Sequence, residues 1–209
     1  IKSNASKGNS KNIKKIGLVL LLLITIYYTL GYFLSMTIQE TFQKRDCDTV
    51  ITLVNKLEKF YSPYYSPYLD PATKNKKECN AYISADAYWK NNTWDKAYEG
   101  YVVYADKYPE GLFIEAVKKN EAKSLYFWGQ ELENNNEYQN AINSYIVLTE
   151  KYSESPESLL ASNAIPQTYL DWGIALEAEG NLNEAAENFD LVLEKDNNSQ
   201  CRDNHLHHS

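Results

Sequence analysis

The sequence predicts an all-α protein: a single N-terminal transmembrane helix followed by an α-solenoid of stacked antiparallel helix hairpins. Three observations predict it. Ile16 to Ile38 is a run of 23 residues with no charged side chain. Beyond it, small residues recur in pairs at a fixed stride with large residues beside them. Between the pairs stand Asn and Gly, the residues that end helices in the left-handed conformation.

The apolar run is long enough for its purpose. A helix rises about 1.5 Å per residue, so it covers roughly 34 Å against a hydrocarbon core of about 30 Å. A helix also satisfies its own backbone polar groups where no water can. The run is too long for an ordinary signal peptide, and Ser35 to Ile38 carries no small-x-small cleavage pattern. An uncleaved anchor is therefore expected.

Charge sets the orientation. Residues 1–15 carry Lys2, Lys7, Lys11, Lys14 and Lys15 and no acid, so against a net charge of −7 the remainder carries −12. Positive residues mark the cytoplasmic side. Residues 1–15 read as a flexible basic tail in the cytoplasm or its equivalent, and the C-terminal domain as extracytoplasmic, in a periplasm or its equivalent. So acidic a domain repels phosphate backbones, which excludes nucleic-acid binding.

The span, 16–38, is expected to continue outward to about residue 45, because no breaker intervenes. One of its sides carries Tyr28, Gly31, Tyr32 and Ser35 at i, i+3, i+4 and i+7, a candidate packing face for another membrane helix. Residues 46–79 follow as a helix and a loop. Asp46 or Asp48 can cap a helix over Thr49 to Tyr61 with Val50, Ile51, Val54 and Leu57 on its apolar face. The segment Tyr61 to Pro71, with Pro63, Pro67 and Pro71, then forces an extended or turning path. If that helix returns towards the bilayer, the loop tyrosines would sit at headgroup level.

The repeats occupy 80–198. Ala81-x2-Ser84-Ala85-x2-Tyr88 leads to Ala97-x3-Tyr101. Leu125-x2-Trp128-Gly129-x2-Leu132 leads to Ala141-x3-Tyr145. Tyr169-x2-Trp172-Gly173-x2-Leu176 leads to Ala185-x3-Phe189. Twelve residues separate Ala85 from Ala97, Gly129 from Ala141 and Gly173 from Ala185, and the stride from Ala97 to Ala141 to Ala185 is 44. Small residues let two helices approach closely, and the nearby large residue fills the adjacent hole. One such hairpin cannot bury its own apolar face, so hairpins must stack. Asn91-Asn92-Thr93, Asn134-Asn135-Asn136 and Gly180-Asn181 supply the turns. Pro166 is expected to open the first helix of the last pair. Residues 199–209 read as a flexible tail.

This pattern resembles the tetratricopeptide repeat, W-x2-L-G-x2-Y then A-x3-F then P, with the third stretch the nearest match. Ala81 and Ser84 depart from it, and only Pro109 stands at the closing Pro. The stride is about ten residues longer than usual, which extra turns in Glu115 to Leu125 and Glu157 to Ile165 absorb. The 49–61 helix looks like an orphan second half-repeat, with Val50, Val54 and Leu57 in the places of Ala97, Tyr101 and Tyr104. The turn Tyr108 to Ala116 is similar to those of tetratricopeptide-like envelope assembly proteins. The resemblance implies a TPR-like solenoid with a protein-binding groove. Tyr88, Tyr126 and Trp128 are candidates to line it.

Catalytic signatures are missing: there is no phosphate loop, HExxH, CxxC or GxSxG. No cofactor or small-molecule substrate is expected. His205, His207 and His208 read as a tail. Cys47 starts one helix and Cys79 the next, antiparallel one, about 20 Å apart, so no bridge is expected between them. The expected function is a non-catalytic, membrane-anchored TPR-like scaffold, an accessory subunit whose partners are other protein subunits, their transmembrane helices and membrane lipid. The alternative is an anchored chaperone or export factor similar in layout to the ancillary Sec translocon subunit.

Overall fold

The computed structural model describes the backbone of residues 6–61 and 67–206 and the side chains of 13–61 and 67–194. These residues form eight α-helices and no strand: α1 (Ser6–Gln43), α2 (Cys47–Tyr61), α3 (Leu69–Lys90), α4 (Trp94–Lys107), α5 (Ile114–Asn134), α6 (Tyr138–Lys151), α7 (Pro156–Glu179) and α8 (Leu182–Leu206). The chain divides into two compact units, Ile1–Ala81 and Tyr82–Ser209.

In the first unit α1 is long and apolar enough over Ile13–Gln43 to cross a membrane. The helix already begins at Ser6, inside the stretch read as a flexible tail, because nothing between the lysines breaks it. It ends at Gln43, and the turn after it holds Arg45, whose φ is 61°. Asp46 caps α2, its Oδ1 accepting from the Thr49 amide at 3.1 Å. Hydrogen bonding from Thr49 holds the Asp46 carboxyl below its ordinary pKa. Val50, Val54, Leu57 and Tyr61 of α2 are buried, as are Ile38 and Phe42 of α1. α2 therefore runs back along α1.

Two expectations fail in this unit, for one reason. α3 begins at Leu69, not at Asn80. Pro71 is no breaker: it sits in the first turn, where its missing amide would have had no helical partner. Cys79 is consequently ten residues into α3, about 15 Å from its start, beside the beginning of the antiparallel α2. Cys47 and Cys79 form a disulfide, with their Cα atoms 5.3 Å apart. Of the Tyr/Pro-rich loop, residues 62–66 lie outside the described residues.

In the second unit α4 packs on α5, α5 on α6, α6 on α7 and α7 on α8, and α5 also touches α7. The recurrent small residues are all interior: Ala97, Ala141 and Ala185 are 0%, 0% and 2% exposed. Each first-helix glycine is a ring seat. A Cβ on Gly129 would stand 2.4 Å from Cε1 of Tyr145, and one on Gly173 would stand 2.5 Å from Cε1 of Phe189. The rings come from 16 residues further along in both cases, so the small–large code is a lock between the two helices of a hairpin. Gly100 meets Ala85 instead: a Cβ on Gly100 would stand 3.0 Å from Cβ of Ala85.

Four turns share one hydrogen-bond pattern. The left-handed residues are Arg45, Asn92, Asn136 and Gly180. At each, the next amide reaches back five residues: Asp46 to Thr41, Thr93 to Tyr88, Glu137 to Leu132 and Asn181 to Leu176, at 2.8–3.2 Å. The left-handed residue's own amide bonds three residues back, to Phe42, Trp89, Glu133 and Glu177. This is the Schellman cap. The second helices then start in the same register, with Val50, Ala97, Ala141 and Ala185 donating to Asp46, Thr93, Glu137 and Asn181. The 49–61 helix is thus not an orphan: the C-terminal end of α1 is its first-helix partner. There Ile38 and Val54, two middle-sized residues, stand where Gly129 and Tyr145 stand in α5 and α6.

Two further differences concern the C-terminal part. α7 opens at Pro156, with Ser155 Oγ accepting from the Ser158 amide at 3.1 Å, so Pro166 lies inside the helix and does not start it. α8 runs on to Leu206 through the stretch read as a tail.

Candidate functional site

α4, α5 and α6 enclose a groove of about 600 Å³. Its apolar floor comes from α5, where Leu125, Trp128 and Leu132 follow one another at helical spacing. Tyr98 of α4 makes one wall. α6 supplies Val147, Ser144, Asn143 and Asn140, with Glu137 at the turn. The amides are engaged loosely: Asn140 Nδ2 donates to Glu137 Oε2 at 3.0 Å and Asn143 Oδ1 accepts from Gln139 Nε2 at 3.3 Å. Both Asn side chains are exposed and can exchange these bonds for a ligand's backbone groups. An apolar floor with a rim of two amides and the Glu137 carboxylate suits a peptide segment that anchors one apolar side chain.

The three groove candidates separate. Trp128 lines the groove and also packs on the core. Tyr126, one turn face away, packs towards Tyr145, with ring centroids 5.9 Å apart, and its hydroxyl accepts from Gln130 Nε2 at 3.2 Å. Tyr88 is on α3, 43% exposed, with the Lys96 ammonium 5.9 Å from its ring centroid. Sequence reasoning missed Tyr98 and the α6 amides. The amides recur at i and i+3 from Asn140, a polar stripe beside the buried Ala141-x3-Tyr145 face, and that stripe is the signal that was there to find.

Two carboxylates fasten the helices, Glu121 buried and Glu133 half-buried. Glu121, 3% exposed, accepts the Tyr152 hydroxyl at 2.6 Å, with the Lys151 ammonium 3.9 Å away. Lys151 also lies 5.6 Å from the Tyr98 ring centroid and 4.9 Å from that of Tyr152. Glu133 accepts from Tyr145 at 2.7 Å through Oε2 and from Thr168 through Oε1, joining α5, α6 and α7. Burial raises the pKa of the Tyr152 and Tyr145 hydroxyls, and the carboxylates they serve push the same way. Each carboxylate thus ties α5 to α6 through a tyrosine hydroxyl, and Oε1 of Glu121 stays buried without a hydrogen-bond partner.

In the first unit the stripe of Tyr28, Gly31, Tyr32 and Ser35 is partly covered by its own chain. A Cβ on Gly31 would stand 2.8 Å from Cδ2 of Tyr68 and 3.0 Å from the Tyr61 hydroxyl. Tyr28 and Tyr32 stay 42% and 50% exposed. Among the described residues no group of three or more His, Cys, Asp or Glu side chains is placed to hold a metal ion. The three histidines fall outside the described side chains. Comparison with protein-family models, with characterised proteins and with solved structures finds no match to this chain.

Proposed function

We propose that this protein is a membrane-anchored, tetratricopeptide-like scaffold that holds a protein segment in the groove between α4, α5 and α6, as an accessory subunit of a larger membrane complex. The observation that carries the reading is the groove itself: Trp128 and Tyr98 form an apolar seat rimmed by Asn140 and Asn143. The repeat reading draws on the stride of 44, the buried small residues and the identical caps. With −12 on the chain beyond residue 15, the segment it holds is neutral or basic.

The orientation with the domain outside the cytoplasm has two independent supports. Five lysines precede the apolar run. A disulfide joins Cys47 to Cys79, and disulfides persist in oxidising compartments.

Extraction in mild detergent, followed by size analysis and mass spectrometry, tests the scaffold reading. A stoichiometric partner that is lost from the W128A/Y98A double variant supports it. A substoichiometric mixture of clients points to the chaperone or export factor, and a monodisperse chain with no partner overturns both.

A further inference from the structure

We propose that the outer edge of the hydrocarbon crosses α1 at Tyr27–Tyr32, two turns below Ile38, and that the end of α2 and the start of α3 seat an aromatic collar in the lipid headgroup layer there. This deepens the reading of α1 as a membrane anchor and rests on it.

The placement starts from contacts at mid-run. The Tyr61 hydroxyl donates to the Tyr27 carbonyl at 2.7 Å, and their ring centroids are 4.5 Å apart. Gly31 leaves room for the Tyr68 ring, which also lies 6.4 Å from that of Tyr32. So α2 ends and α3 begins beside the middle of the apolar run. Everything of α2 before Tyr61 stands beside the stretch of α1 between there and Arg45.

That stretch cannot lie in hydrocarbon. One turn before Tyr61, Glu58 accepts from the Lys76 ammonium at 2.7 Å. Lys56 and Lys59 are exposed. Asn75 Nδ2 donates to Gln39 Oε1 at 3.0 Å. Lipid up to Ile38 would immerse these charges and the paired amides below the hydrocarbon edge, where every charged side chain costs free energy. Lowering the boundary removes the conflict and still leaves a span. Ile16 to Tyr32 is 17 uncharged residues, about 26 Å of helix, at the short end of a spanning length. Lys14 and Lys15 then lie at the inner edge, where long stems let the ammonium groups reach water.

The side chains at the proposed level suit a boundary. Phe60 is 67% exposed at the end of α2, beside the half-exposed Tyr28 and Tyr32. Tyrosine presents an apolar ring and a polar tip, the combination that favours the interface. Phe33 and Met36, also exposed, rise about 6 Å above Tyr32 at most, within the headgroup layer. The last two turns of α1, beyond Met36, then stand clear of lipid as part of the first helix of a hairpin.

Depth-resolved quenching tests this. Phe60→Trp and Thr52→Trp, both at exposed sites, are reconstituted into phosphatidylcholine vesicles with acyl chains brominated near the headgroup, with the wild-type emission as baseline. Flotation after alkaline carbonate washing is read on the same samples. The proposal predicts that the protein floats, that the emission added by Phe60→Trp falls about twofold and that the emission added by Thr52→Trp is unchanged. Floating protein with no quenching at Phe60, or with equal quenching at both sites, overturns the boundary and leaves the anchor standing. Protein that does not float removes the anchor and the boundary with it.

Discussion

Tyr145 shows how much one side chain carries in this fold. Its ring occupies the space a Cβ on Gly129 would need, and its hydroxyl donates to Glu133. Gly129→Ala should lower stability by about 1–3 kcal/mol through overpacking, more than the ~1 kcal/mol helix-propensity gain returns. Urea unfolding measures it, and a stabilised variant would contradict the ring seat. Glu133→Ala should cost about 1–3 kcal/mol, because it leaves the buried Tyr145 hydroxyl without an acceptor, whereas the Thr168 hydroxyl keeps the Ala164 carbonyl at 2.9 Å. Alkali tests the same interior from another side. Tyr101, Tyr145 and Tyr152 have hydroxyls raised above their ordinary 10.0, burial being the first cause in each. A folded-state value above the unfolded one gives stability that is full below the unfolded pKa and lost as pH rises towards the folded one. Thermal unfolding should therefore hold level from about pH 7 to 9 and fall steeply above about pH 10, where the unfolded tyrosines ionise.

At the scale of elements, the turns at Arg45, Asn92, Asn136 and Gly180 make the hairpin the unit of construction. Much of this was legible in the residues. The pairing of Gly129 with Tyr145 and of Gly173 with Phe189 is a contact written as spacing, and the Asn and Gly turns announce their own φ. What was not legible had physical causes. Pro71 reads as a breaker until its place in the first turn of α3 is known, and that single misplacement moved Cys79 to a helix start and hid its bridge to Cys47. The partner of α2 was hidden because lipid-compatible Ile38 stands where a glycine marks the other crossings. The groove was half legible: Trp128 stands out, whereas Tyr98 and Asn143 acquire meaning only when α4 and α6 flank α5. The bridge closes a loop with a separation of 32 residues, which in the chain-entropy model stabilises by about 3–4 kcal/mol. Cys47→Ser should lower the unfolding free energy of the first unit by that order, and nonreducing peptide mapping should show the 47–79 pair in the wild type. Free thiols at both positions in protein from its native membrane would contradict the bridge and remove one support for the orientation.

For the whole molecule, the chain joins an apolar helix, a disulfide-tied hairpin and a stack of helices with a peptide-sized groove. On the proposed function, α1 crosses a membrane and puts the groove on the side away from the lysines. Protease applied to intact cells that carry an epitope tag at each terminus of this chain tests that claim most directly. The C-terminal tag should be lost together with the second unit, and the N-terminal tag should stay protected until the membrane is opened. A C-terminal tag that survives until lysis, or a chain recovered in the soluble fraction, would contradict it.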